Sequence, residues 1–127
     1  MRKWTVIGLI TTAIIALTLA IYALNEANRM ANVQAKLLAE SIERGQVIYA
    51  ETCAGCHGVN GQGLSVVYPG LNNQGVQEMD YGSLFKIIER GRYNTAMSAW
   101  GVDEGGLLNE MQIDQLIAVL QNGHWNN

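Results

Sequence analysis

The sequence predicts an all-α chain, a single N-terminal transmembrane helix followed by a small helical domain. Three observations carry this. An uncharged apolar stretch opens the chain, two later segments place apolar residues at helical spacing, and no segment alternates convincingly as a strand. A length of 127 residues fits one compact domain. The net charge is −3 with no basic tract, which gives nucleic-acid binding no support. One proline and no low-complexity run argue against disorder.

The first element, residues 1–24, begins with Arg2 and Lys3. From Trp4 to Leu24 there is no charge. A helix of that length spans about 31 Å, the thickness of the hydrocarbon layer. Trp4 and Tyr22 stand near its ends, where amphipathic rings favour the interface. A cleaved signal peptide would have a shorter apolar region, roughly 7–15 residues, and a better small-residue site than Ala20-Ile21-Tyr22-Ala23. A retained, single-pass anchor is therefore expected. Arg2 and Lys3 then stay on the cytoplasmic side and the rest lies on the periplasmic or extracellular side of the cell membrane.

Residues 25–44 contain no Gly or Pro and many good helix formers, among them Leu37, Leu38, Glu40 and Glu43. Met30, Val33 and Leu37 share one face, weakly. This predicts a helical juxtamembrane linker, stiffer than a Gly/Ser tether. A plain helical spacer is the simpler alternative.

The domain proper is expected over residues 45–127. Val47, Ile48 and Ala50 give its first helix a short apolar face. Glycines then cluster from Gly58 to Gly75 around Pro69, predicting a loop of about twenty residues, long enough to be functional or to wrap something. DYGSLFKIIERG predicts a helix capped by Asp80 or Ser83, apolar at Leu84, Phe85, Ile87 and Ile88, and ended by Gly91. A second loop, RYNTAMSAWGVDEGG, follows. The last helix, about Asn109 to Gln121, turns Met111, Ile113, Leu116, Ile117 and Leu120 inward and stops before Gly123.

Three short helices and two long loops bury little apolar surface. A domain this small often needs a staple such as a metal, a disulfide or a cofactor. The two cysteines, Cys53 and Cys56, lie in ETCAGCHGVNGQG beside His57. Zinc needs about four ligands, and only His124 remains to join these three. A dithiol oxidoreductase would set C-x-x-C in a βαβ pattern, which is missing. A disulfide would close only a tiny loop. The reading that uses all three residues is covalent attachment of one haem c. Each sulfur forms a thioether to a vinyl group, His57 reaches under the ring to ligate iron, and the small Ala54 and Gly55 let the backbone lie close.

Residues 45 to 121 resemble a monohaem cytochrome c domain of the class I type. CAGCHGVNGQG resembles that family's binding segment, YPGL its proline-bearing loop and TAMSAWG its methionine loop. The resemblance implies a small helical fold around one haem, serving electron transfer. Of five methionines, Met1 and Met30 precede the domain, while Met79 and Met111 are read as core. Met97 lies in an irregular loop among small residues and stands at the family's ligand position. It is the expected second axial ligand, with His124 the alternative. His/Met ligation would raise the potential relative to His/His. The resemblance further implies that the Pro69 carbonyl accepts from His57, and that Arg92 and Trp100 contact the haem propionates. The plainer readings are a turn proline, a surface charge and a packed ring. Two departures stand out. Ser98 replaces the common proline after the methionine. Val119 stands where the family often has an aromatic facing Gly45 and Tyr49, a gap Tyr49 is expected to fill.

From Gly45 onward there are eight acidic and three basic side chains, a formal −5. This lacks the lysine ring of a soluble carrier, so a partner would be basic or apolar near the haem edge, or docked permanently. The layout resembles the membrane-anchored monohaem subunit of alternative complex III, a quinol-oxidising assembly. Anchored cytochrome subunits of haem–copper oxidases and photosynthetic donors are similar. The expectation is an electron carrier, not an enzyme, serving as a subunit of a respiratory or photosynthetic complex with redox donor and acceptor proteins as partners. A tethered shuttle is the alternative.

Overall fold

A computed structural model describes residues 2–123 and 125. Among these residues the secondary structure is helical, with one isolated bridge between Gly101 and Leu108 and no strand. The elements are α1 (Arg2–Thr52), α2 (Ala54–His57), α3 (Gln74–Gln77), α4 (Tyr81–Arg90), a 3₁₀ turn (Val102–Glu104) and α5 (Glu110–Asn122). The chain divides into two compact units, residues 1–37 and 38–127.

The first unit is the N-terminal part of α1. Residues 2 to 25 are all exposed, apolar side chains included. A helix apolar on every side needs an apolar surround. Its length and composition suffice to cross a membrane, a property it shares with signal sequences. Its polar side chains look after themselves. The hydroxyls of Thr5, Thr11, Thr12 and Thr18 donate to the carbonyls of Arg2, Gly8, Gly8 and Ile15 at 2.8–2.9 Å, an arrangement compatible with an apolar surround. Just beyond the apolar stretch Arg29 forms a two-pronged ion pair with Glu26.

The second unit packs the end of α1 against α5, which packs in turn on α4. Its core joins Tyr49, Leu84, Ile88, Leu108, Ile113, Leu116, Ile117 and Leu120. The helix expected to begin at Gly45 has no break there. Its buried face is Ile42, Gly45 and Tyr49, with Ile48 partly buried. The expected face of Val47, Ile48 and Ala50 is corrected accordingly, because Val47 and Ala50 point to solvent. The reason is Gly45. A Cβ there would lie 2.6 Å from the Gln115 carbonyl carbon and 2.7 Å from Val119 Cγ2. Only a glycine allows α1 and α5 to approach this closely, and that contact sets the helix's rotation. Val119, 1% exposed, faces Gly45 as expected.

The two later helices match their sequence signals. Asp80 caps α4 by accepting from Ser83 N at 3.0 Å, and Gly91 ends it at φ 69°. Asn109 and Gln112 form a reciprocal capping box on α5, and Gly123 closes it in the left-handed conformation. Met111 is the exception: it is 61% exposed, so its assignment to the core is wrong. It sits in the first turn of α5 on its solvent side, while Gln115 and Val119, one and two turns on, are buried instead. Within the first expected loop, Asn73 caps the short α3 by accepting from Val76 N.

Candidate haem site

The CAGCH segment is one helical turn. His57 N donates to the Cys53 carbonyl at 2.9 Å, and Gly58 N to that of Ala54 at 2.9 Å. Spacings of three and four residues put Cys53, Cys56 and His57 on one side of that turn. Both thiols are free, Cys53 half-buried and Cys56 exposed. Burial pushes the Cys53 thiol up, a contact with Thr52 pulls it back, and Cys56 raises it further. A thiol held protonated is a poor nucleophile, which disfavours dithiol exchange.

His57 Nδ1 lies 2.8 Å from the Pro69 carbonyl oxygen. A carbonyl can only accept, so Nδ1 carries the proton and Nε2 keeps a lone pair for a metal. The loop brings Pro69 there by folding back on itself. Gly63 N donates to the His57 carbonyl at 2.7 Å, and Leu71 N and Asn72 N donate to the Gly61 carbonyl at 2.7 and 3.0 Å. Gly63 has φ +78°, and a Cβ on it would lie 2.5 Å from Gly70 N. The crossing of the two loop arms therefore requires glycine.

The methionine loop leaves α4 at Gly91. Arg92 N donates to the Met97 carbonyl at 3.0 Å, and Trp100 N donates to the carbonyls of Ile88 and Glu89 at 3.1 and 3.2 Å. These bonds hold the loop against the end of α4.

All seven expected residues line one cavity of about 740 Å³: Cys53, Cys56, His57, Pro69, Arg92, Met97 and Trp100. This volume lies within the roughly 300–1,000 Å³ of small-molecule and cofactor sites. Leu71, Val76, Leu84, Ile88, Leu116 and Leu120 make much of its wall apolar. Arg92 is the one charged side chain among the described lining residues, and Asn94, Thr95 and Ser98 are its polar neighbours in the wall. A flat apolar macrocycle with two vinyl groups, an iron and two carboxylates matches this set: two thiols, an imidazole lone pair, a thioether and a cation. When bound, haem supplies one-electron redox chemistry at its iron. The chain's residues would hold it there and keep the ring in apolar surroundings, while the Pro69 carbonyl fixes the histidine's tautomer. Met79, read as core, packs on the core and lines the same cavity.

One further wall residue is backed by a ring from the chain's tail. Tyr49 lines the cavity, donates through its hydroxyl to the Gly58 carbonyl at 2.8 Å, and meets the Trp125 ring edge-on at 5.3 Å and 74°. Burial pushes its phenol up to about 12. Trp125 also covers Gly61, where a Cβ would meet its ring. Nothing in the sequence marked Trp125, which follows the helix-ending Gly123 without periodicity. His124, the alternative ligand, lies outside the described residues.

No curated protein and no solved structure matches the chain. Residues 40–123, by contrast, match the protein family described as cytochrome c oxidase, cbb3-type, subunit III. With about two thirds of its length matched, the chain belongs to that family and is a c-type cytochrome, a carrier of electrons on haem.

Proposed function

We propose that the protein is a membrane-anchored monohaem cytochrome that passes single electrons within a larger electron-transfer complex. One haem c is held covalently by Cys53 and Cys56, with His57 and Met97 as axial ligands. Residues 1–24 form the anchor, 25–44 the juxtamembrane linker and 45–127 the haem domain on the periplasmic or extracellular side. The observation that carries this reading is the convergence of the seven residues on one cavity, with His57 Nδ1 engaged by Pro69. The self-satisfied threonines of the apolar helix support the anchor. The family description favours an oxidase as the complex. The resemblance to the subunit of alternative complex III draws no support from that match.

Two measurements test the proposal. Denaturing the protein in acidic organic solvent should leave haem on the peptide containing Cys53 and Cys56, and free extraction would refute covalent attachment. Haem reduction in native membranes should be nearly indifferent to ionic strength if the subunit is fixed, since encounters between free charged partners are salt-dependent. A Gly-Ser run between Ala31 and Asn32, where the flanking residues are exposed, should slow it. A steep fall with salt together with tolerance of the insertion would identify a tethered shuttle.

A further inference from the structure

We propose that Thr95 is the positioning residue for Met97, its hydroxyl clasping the loop that presents the sulfur. The inference rests on Met97 as the axial ligand. The loop has two backbone ties, Arg92 N to the Met97 carbonyl at 3.0 Å and Thr95 N to the Arg92 carbonyl at 3.1 Å. Thr95 Oγ1 adds two more. It donates to the Arg92 carbonyl at 2.8 Å and accepts from Met97 N at 3.2 Å. The single proton and a lone pair of one hydroxyl thus bind both ends of the loop. Between them Asn94 has φ 56°, the one non-glycine residue with positive φ among those described. A left-handed asparagine is held only where its surroundings fix it.

Beside the two backbone ties, Thr95 supplies the side-chain hydrogen bonds that close the loop. Ser98 follows the methionine where a proline would restrict the backbone. Thr95 is exposed, so its value does not lie in burial. A hydroxyl ties the strained turn to Met97's own amide, and the position of that amide fixes where the side chain starts. Loss of the hydroxyl frees the turn and weakens the hold of Met97 on iron without removing any atom from the cavity's apolar wall.

The test is the binding of added imidazole to the oxidised, haem-loaded full-length protein in detergent, followed by absorbance. Imidazole competes with Met97, so its apparent affinity reports how firmly the sulfur is held. Thr95→Val keeps the shape and loses the hydroxyl, while Thr95→Ser keeps the hydroxyl. One or two net hydrogen bonds correspond to about three- to ten-fold. Thr95→Val is expected to bind imidazole tighter by that factor, and Thr95→Ser to stay within about two-fold of the wild type. Met97→Ala, with no sulfur to displace, should bind tighter than either. Wild-type affinity in Thr95→Val beside tight binding in Met97→Ala would overturn the clasp alone. A Thr95→Ser variant as tight as Thr95→Val would also overturn it, by showing that the methyl rather than the hydroxyl matters. Wild-type affinity in Met97→Ala would overturn the ligand assignment and the clasp with it.

Discussion

Gly45→Ala opposes two effects of different sign. Helix propensity alone favours alanine over glycine in a helix interior by about 1 kcal/mol. Packing opposes it. The new Cβ would collide with the Gln115 carbonyl oxygen and sit 2.6 Å from its carbon and 2.7 Å from Val119 Cγ2. Two of those three atoms are backbone, which no rotamer change can move. Relief requires α1 and α5 to separate, which loosens Val119 and Tyr49, 1% and 4% exposed. Overpacking of this kind costs about 1–3 kcal/mol, and the backbone clash places it at the upper end. The net destabilisation is about 2 kcal/mol, or a Tm roughly 10 °C lower for a domain of this size. Thermal unfolding of the haem-loaded full chain, followed by haem absorbance, reads it. An unchanged or raised Tm would refute the close-approach argument. Adding Val119→Ala should restore only part of the loss, since the carbonyl contact remains.

Three other predictions concern the site. Met97→Ala should weaken the low-spin haem spectrum and lower the midpoint potential, whereas Met79→Ala should leave the spectrum intact and cost stability; the reverse outcome would make Met79 the ligand. Gly63→Ala forces an alanine to φ +78° against Gly70 N and costs about 1–2 kcal/mol in backbone strain alone. It should also loosen the Pro69 carbonyl from His57, reduce the imidazole's donor strength and raise the potential; an unchanged redox titration would count against this. The Tyr49 phenol, lifted by burial to about 12, binds its proton more tightly in the folded state. Its stabilising share is complete below pH 10 and is lost as pH rises towards 12. Tyr81, raised by its hydrogen bond to Asp114, titrates in the same range. Tyr49→Phe should therefore flatten only part of the alkaline loss seen in denaturant titrations, and an identical pH profile would discount the burial.

What the sequence disclosed follows from how local each signal is. Asp80, Gly91 and Gly123 were legible because they act on backbone groups within four residues of themselves, whereas Asn109, read as the start of α5, proves to be its cap. The haem motif was legible for the same reason, since Cys53, Cys56 and His57 need only one turn to share a side. The rotation of α1 was not, because Gly45 matters only through a carbonyl seventy residues away. Met111 satisfied the period of α5 yet stands exposed, showing that periodicity fixes a face but not whether that face is covered along its whole length. The place of Pro69 came from resemblance; the geometry that delivers its carbonyl depends on the crossing at Gly63, which spacing alone does not reveal. Thr95 opened the TAMSAWG segment without a role of its own, because loop hydroxyls are common, and Trp125 carried no pattern, because a single ring after a helix end has no register.

The edge-on contact of Tyr49 with Trp125 joins nearly the first residue of the cavity wall to the last described residue of the chain. Trp125 thereby latches the tail after α5 over Gly61 and against the end of α1. The latch lies away from the thiols: Cys56 stays exposed with the ring docked. Completing the fold therefore does not shut the cysteines away from a group that would bond to them, and a chain that lost Trp125 should loosen Gly61 and Tyr49 while leaving access to the thiols unchanged.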